Sequence, residues 1–277
     1  MNIILKRFAA LCGSVLIASS LGIGLAGAAA AGANEPRPVD GSWEGPFGRF
    51  DQAQVQRGFQ VYKQVCSACH SMNLLHYRNL GDEHAPFYDA KFPNPNENPV
   101  IKAIAASYTI KAVDPDGNVE ERPGLPSDAF VSPWENRAQG LAANGGAYPP
   151  DLSVIIKARH NGASYVYSLL TGYDQPVPEG VNVAEGKYYN PYMPGGVIAM
   201  GPQLVDDLVE YADTPANKGI KPTADQMAKD VVAFLSWASD PHQTERKSTG
   251  LGVMIFLLIL GTFLWFSCKS VWRNVEH

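Results

Sequence analysis

Residues 66–70 read Cys66-Ser67-Ala68-Cys69-His70. Two thiols two residues apart, followed at once by an imidazole, match covalent attachment of a c-type haem. The reason is geometric: two thioether bonds fix the porphyrin against the turn, and the next side chain then meets the iron from one face as its proximal ligand. Of the chain's four cysteines, Cys12 and Cys268 lie in apolar terminal segments, so residues 34–247 own only Cys66 and Cys69. That count excludes a disulfide scaffold. A thioredoxin-like pair would follow a strand, whereas the residues before Cys66 carry a helical pattern. A structural zinc would need a second Cys/His pair at suitable spacing, and none occurs.

Working back from the motif, Val55, Phe59, Tyr62 and Val65 recur at helical spacing, with Asp51 placed to cap a helix over 51–65. Working forward, residues 223–239 carry Met227, Val231, Phe234, Leu235 and Trp237 on a second stripe, with Thr223 as N-cap and Pro241 beyond the stop. A third helix is expected within 152–171, interrupted at Asn161-Gly162. Residues 82–146 are rich in Pro, Asn and Gly and read as ordered loop with one short helix near 100–107. Few runs alternate with period two, so the body is expected to be all-α with long loops.

The iron's other face needs a ligand from elsewhere in the chain. Met72 is too close to His70, Met227 belongs to a core stripe, and Met254 lies in the C-terminal apolar run. That leaves Met193 and Met200, in Asn190-Pro-Tyr-Met-Pro-Gly-Gly-Val-Ile-Ala-Met-Gly-Pro202, and the histidines His76, His84 and His160. A thioether would stabilise the ferrous state and raise the reduction potential.

The ends are of a different composition. Residues 1–33 begin with Lys6 and Arg7, continue apolar and finish in an Ala/Gly stretch, the pattern of a cleaved signal peptide. Residues 248–268 are uncharged and run to roughly 30 Å as a helix, enough to cross a bilayer. Trp265 and Trp272 sit where interfacial aromatics belong, and residues 269–277 form a short tail. Arg246 and Lys247 on one side balance Lys269 and Arg273 on the other, so orientation rests on the signal peptide: body exported, tail cytoplasmic.

The whole chain of 277 residues carries a net charge of −5. Lys6, Arg7, Lys269 and Arg273 lie in the ends and leave residues 34–247 with 18 Lys and Arg against 26 Asp and Glu, a net charge of −8. Such a body argues against a nucleic-acid partner, which needs basic surface. The acids bunch at Asp82-Glu83, within 114–121 and within 206–213, a field suited to a basic protein partner.

The chain resembles the cytochrome c1 family. The likeness rests on Cys66 to His70 with the following Ser-Met-Asn-Leu-Leu-His-Tyr-Arg78, on Tyr148-Pro-Pro-Asp-Leu152, Ala158-Arg-His160 and Tyr165-Val-Tyr-Ser-Leu-Leu-Thr-Gly-Tyr173. It continues through Asn190-Pro-Tyr192, Pro194-Gly195, Ile198-Ala-Met-Gly201 and Ala228-Lys-Asp-Val231. This resemblance implies a class I cytochrome c-like haem domain on one C-terminal transmembrane helix. It implies one haem c on Cys66 and Cys69, His70 and Met200 as axial ligands, Arg159 at a haem propionate and Pro150 packed on the haem. Met193 falls where relatives often carry an aromatic. Some bacterial relatives carry a disulfide near the methionine loop; this chain lacks the cysteines, so packing and hydrogen bonds must hold Met200. The implied role is electron transfer in ubiquinol–cytochrome c reductase, with cytochrome b and a Rieske iron–sulfur subunit as neighbours and a basic cytochrome c as acceptor. The implied location is the bacterial inner membrane, haem domain in the periplasm.

Overall fold

The computed structural model describes residues 33–114 and 116–274. The expected signal segment, apart from its last residue, lies outside the described residues, as do the last three residues of the tail.

The described body, up to Lys247, is one compact unit. Its first helix, α1 (Gln52–Gln64), starts where Asp51 accepts hydrogen bonds from the Ala53 and Gln54 amides at 3.0 and 3.4 Å. An ordered carboxylate there satisfies amides that the helix itself leaves unpaired. The short helices α2 (Pro99–Ala106) and α3 (Arg137–Ala143) follow, capped by Asn98 and Asn136. Next is α4 (Gly162–Leu170), and then α5 (Ala224–Ser239), capped by Thr223 through the Gln226 amide at 3.1 Å.

Helices α1 and α5 cross at Gly58. A Cβ there would stand 1.9 Å from the Asp230 carbonyl oxygen, so only glycine lets the two backbones approach this closely. Around the crossing Phe59 packs edge-on against Phe87, Phe130 and Phe234, with ring centroids 5.5 to 6.3 Å apart. Met227, Val231, Phe234 and Trp237 are buried as their spacing predicts. One ion pair also lies in this core. The Arg57 guanidinium donates to Asp230 at 2.8 and 3.2 Å, and Tyr211 and Gln226 donate to the same carboxylate at 2.8 and 2.9 Å. The desolvation of two charges is offset only because each oxygen of Asp230 has donors.

Two small β-ladders depart from the expected all-helical body. Within the stretch expected as loop, β1 (Thr109–Val113) pairs antiparallel with β2 (Val119–Pro123). Its tip is closed by Asp114, which accepts from the Asn118 amide at 2.7 Å. Further on, β3 (Tyr188–Tyr189) pairs with β4 (Val197–Ile198), setting Tyr188 opposite Ile198. The expected helix within 152–171 begins only at Gly162; residues 153–159 are turns, and Asn161 is left-handed with φ 59°.

The last helix, α6 (Gln243–Val271), is 29 residues long with a mean hydropathy of 2.3 over its most apolar stretch. It contains all of 248–268 and is long and apolar enough to cross a membrane.

Candidate haem site

The attachment motif begins where α1 stops. Cys66–Ala68 form one turn of 3₁₀ helix, and the amides of Cys69 and His70 both point to the Cys66 carbonyl at 3.1 and 2.9 Å. This tight turn brings the two thiols and the imidazole into one short stretch. Its carbonyls are pinned from outside: Trp134 Nε1 donates to the Cys69 oxygen at 2.9 Å, and the Tyr62 hydroxyl to the His70 oxygen at 3.4 Å. Both thiols are unbridged and half-buried. Burial, with the neighbouring Cys69, pushes the Cys66 thiol up to about 12, so it remains protonated until it reacts.

His70 is fixed by its ring. Nδ1 lies 2.8 Å from the Pro150 carbonyl oxygen, which can only accept, so Nδ1 carries the proton and Nε2 is left with its lone pair. A metal-bound histidine ordinarily gives its second N–H to such an acceptor. Burial lowers the ring's proton affinity further than the Pro150 carbonyl and the Asp151 charge raise it, so the neutral, ligating form prevails. Two unbridged thiols beside an imidazole oriented in this way fit a covalently attached haem.

The segment after the motif is stitched to residues 151–153. Asp151 accepts from Ser71 Oγ, the Asn73 amide and the Ser153 amide, each at 2.8 Å. The Leu152 amide donates to the Ser71 carbonyl at 2.9 Å and the Leu74 amide to Ser153 Oγ at 3.1 Å. Sequence reasoning assigned no role to Asp151 or Trp134 and read Tyr62 only as part of a helical stripe; the other signal was that Asp151 stands within the quoted Tyr148–Leu152 block.

The structure therefore brings Cys66, Cys69, His70 and Pro150 together. The chain running on from Pro150 reaches the methionine loop through α4. At its start the Tyr165 hydroxyl approaches Met193 Sδ at 3.7 Å, and past its end the Tyr173 hydroxyl donates to the Met200 carbonyl at 2.8 Å. The thioether of Met193 thus faces a donor, whereas Met200 is held through its backbone carbonyl. Asn190, fully buried, ties the loop's base to α4 by donating to the Leu169 carbonyl at 2.8 Å. Arg159 is exposed beside the Tyr165 phenol, which burial raises and the Arg159 charge draws part-way back.

The His76 backbone joins a bridge to Ala129, and exposed His84 adopts φ 67° beside Glu83. His160 is exposed in the turn before α4.

A sequence model of the cytochrome c1 family matches residues 42–275. The chain belongs to the cytochrome c1 family. That makes it a member of a family of c-type haem proteins, in agreement with the donor set at Cys66–His70. A cytochrome c1 from Rhodospirillum rubrum is 42% identical over 280 residues, covering 95% of this chain and 97% of that protein. A mitochondrial "cytochrome b-c1 complex catalytic subunit" from Candida albicans is 46% identical over 84% of this chain and 76% of its own length. A Bradyrhizobium diazoefficiens protein named "cytochrome b/c1" is 38% identical over 97% of this chain, which spans 40% of that longer protein.

Proposed function

We propose that this chain is the one-electron-carrying subunit of a ubiquinol–cytochrome c reductase: it accepts an electron from a Rieske iron–sulfur subunit and passes it to a basic cytochrome c. The observation that carries the reading is the Nδ1-anchored His70 directly behind the two thiols of a 3₁₀ turn. The haem supplies the one-electron redox chemistry when bound. Cys66 and Cys69 would hold it covalently, and His70 Nε2 and the Met200 thioether would ligate its iron. Arg159, exposed just before α4, would pair with a propionate; Pro150, whose carbonyl orients His70, would pack on the ring. A neutral thioether ligand favours the ferrous state and so sets a high potential for an acceptor of electrons.

The assembly with cytochrome b is supported by the relative that joins both names in one longer chain and by the relative named for the b-c1 complex. The 1–33 signal pattern and the apolar helix support export of residues 34–247 to the periplasm of a bacterial cell. Residues 248–268 would span the inner membrane and 269–277 form the cytoplasmic tail.

Met200→Leu tests the ligand pair. It is expected to lower the midpoint potential and to open the ferrous iron to carbon monoxide, while the visible spectrum keeps a c-type band. An unchanged potential would remove Met200 from the site. Acid–acetone extraction tests attachment: the colour stays with the protein if the haem is held covalently and is extracted if it is not.

A further inference from the structure

We infer that Tyr173 is a positioning residue for the axial methionine: its phenol, braced by Tyr188, holds the Met200 backbone so that the thioether stays on the iron. The inference deepens the assignment of Met200 proposed above and rests on it.

Three observations meet at this point. First, the Tyr173 hydroxyl donates to the Met200 carbonyl at 2.8 Å, a short bond to the ligand's own residue. Tyr173 follows α4, whose buried residues Val166, Tyr167 and Ser168 fix it to the body, so the phenol extends from a rigid base. Second, the Tyr173 ring meets the Tyr188 ring edge to face, with centroids 6.4 Å apart and planes at 84°. That contact leaves the phenol little freedom to swing away. Third, Tyr188 covers the residue after the ligand: a Cβ on Gly201 would lie 2.9 Å from its ring, so a glycine is what admits the ring there. Tyr188 itself is held by pairing with Ile198, two residues before Met200.

The two tyrosines therefore grip the chain at Ile198, Met200 and Gly201. With only Cys66, Cys69 and Cys268 among the described residues, this stretch has no disulfide, and these contacts supply the restraint that a covalent link would otherwise give. Holding the carbonyl lowers the population in which the loop swings out and the sulfur leaves, without touching the sulfur itself.

Cyanide binding to the ferric haem reads this directly, because the ligand enters only when the methionine has left. In the haem-loaded, membrane-anchored protein, Tyr173→Phe is expected to speed cyanide binding by about fivefold, in line with loss of one ordinary hydrogen bond, and to lower the midpoint potential. Tyr188→Leu, which removes the brace, should act in the same direction. Tyr167→Phe is the control: it removes a phenol bond made from α4 to the Asp225 carboxylate, which does not involve the methionine loop. A role in folding alone would make Tyr173→Phe and Tyr167→Phe behave alike, and that result would overturn the inference. Met200→Leu separates the two levels. If it binds cyanide no faster than the unaltered protein, the axial assignment falls and this role with it. If Met200→Leu binds faster but Tyr173→Phe matches the control, the assignment stands and only the positioning role is lost.

Discussion

Asp151 shows how one side chain can hold the proximal side of the site without touching the haem. Its carboxylate gathers the Ser71 hydroxyl and the Asn73 and Ser153 amides, so the residues just after His70 cannot drift from the Pro150 carbonyl that orients the ring. Ser71 is 2% exposed, and removing its acceptor leaves a buried hydroxyl unpaired. Asp151→Ala is expected to cost about 2 kcal/mol in denaturant unfolding of the haem-loaded protein. Asp151→Ala should also lower the haem's affinity advantage for the ligated state, seen as faster carbon monoxide binding. Burial pushes this carboxyl up, but the bonds from Ser153, Asn73 and Ser71 outweigh it and leave it below the usual carboxylate range. A group depressed on folding contributes stability above its unfolded value, near 3.9, and loses it as pH falls through the lower folded value. Acid titration of the protein should therefore show a step below about pH 4 that is absent in Asp151→Ala. None of this was legible beforehand. Asp151 is one of 26 acids in the body, and two of its three partners, Ser71 and Asn73, lie about eighty residues away in the chain. Cys66, Cys69 and His70 were legible because their chemistry is complete within five residues.

At the scale of elements, the crossing of α1 and α5 sets the platform from which the attachment turn projects. Gly58→Ala would drive a methyl into the Asp230 backbone, where no flexible side chain can yield. The helices must separate, and a loss of about 3 kcal/mol is expected in guanidinium unfolding; a loss under about 1 kcal/mol would mean that the backbones adjust without strain. The buried pair beside it gives a second expectation. Arg57→Leu leaves Asp230, which is 0% exposed, with its charge uncompensated and should cost about 3–5 kcal/mol. Adding Asp230→Asn to that variant removes the charge while keeping an acceptor for Tyr211 and a partner for Gln226, so the double variant should be more stable than Arg57→Leu alone. Both helices were readable, with ends within a residue, because an apolar stripe at helical spacing and a capping Asp51 or Thr223 act locally. The β1–β2 hairpin was not. Its strands, Thr-Ile-Lys-Ala-Val and Val-Glu-Glu-Arg-Pro, are mostly exposed and show no clean apolar alternation. Only Asp116-Gly117 at the tip marks it, a turn signal that outweighs strand composition in so short a ladder. The start of α4 falls at the Asn161-Gly162 interruption that the sequence shows: Asn161 is left-handed, and the residues before it turn instead of continuing the helix upstream.

Across the whole body, the surplus of 26 acids over 18 bases is not spread evenly once internal pairs are taken out. Asp128 is bound by Arg122, Asp225 by Lys229, Asp240 by Lys157 and Arg246, and Asp230 by Arg57. By contrast Asp207, Glu210 and Asp213 are exposed and form no salt bridge among the described residues. They lie on the strand of chain leading from Met200 to α5, the same stretch that Tyr211 anchors in the core through Asp230. Their field is thus carried by a segment that begins at the proposed iron ligand, where the basic acceptor of the proposed function would approach. Such attraction acts on the encounter rather than on the bound contacts and is screened beyond about 10 Å at 0.1 M salt. The second-order rate of electron transfer to a basic cytochrome c should therefore fall about tenfold as ionic strength rises from about 0.01 to about 0.15 M. Replacing Asp207, Glu210 and Asp213 by Asn, Gln and Asn should flatten that dependence while leaving the rate within the preformed complex, and the midpoint potential, unchanged. A dependence as steep in the triple variant as in the unaltered protein would place the attracting charge on the acids at Asp82-Glu83 or on the hairpin, far along the chain from the Met200 segment.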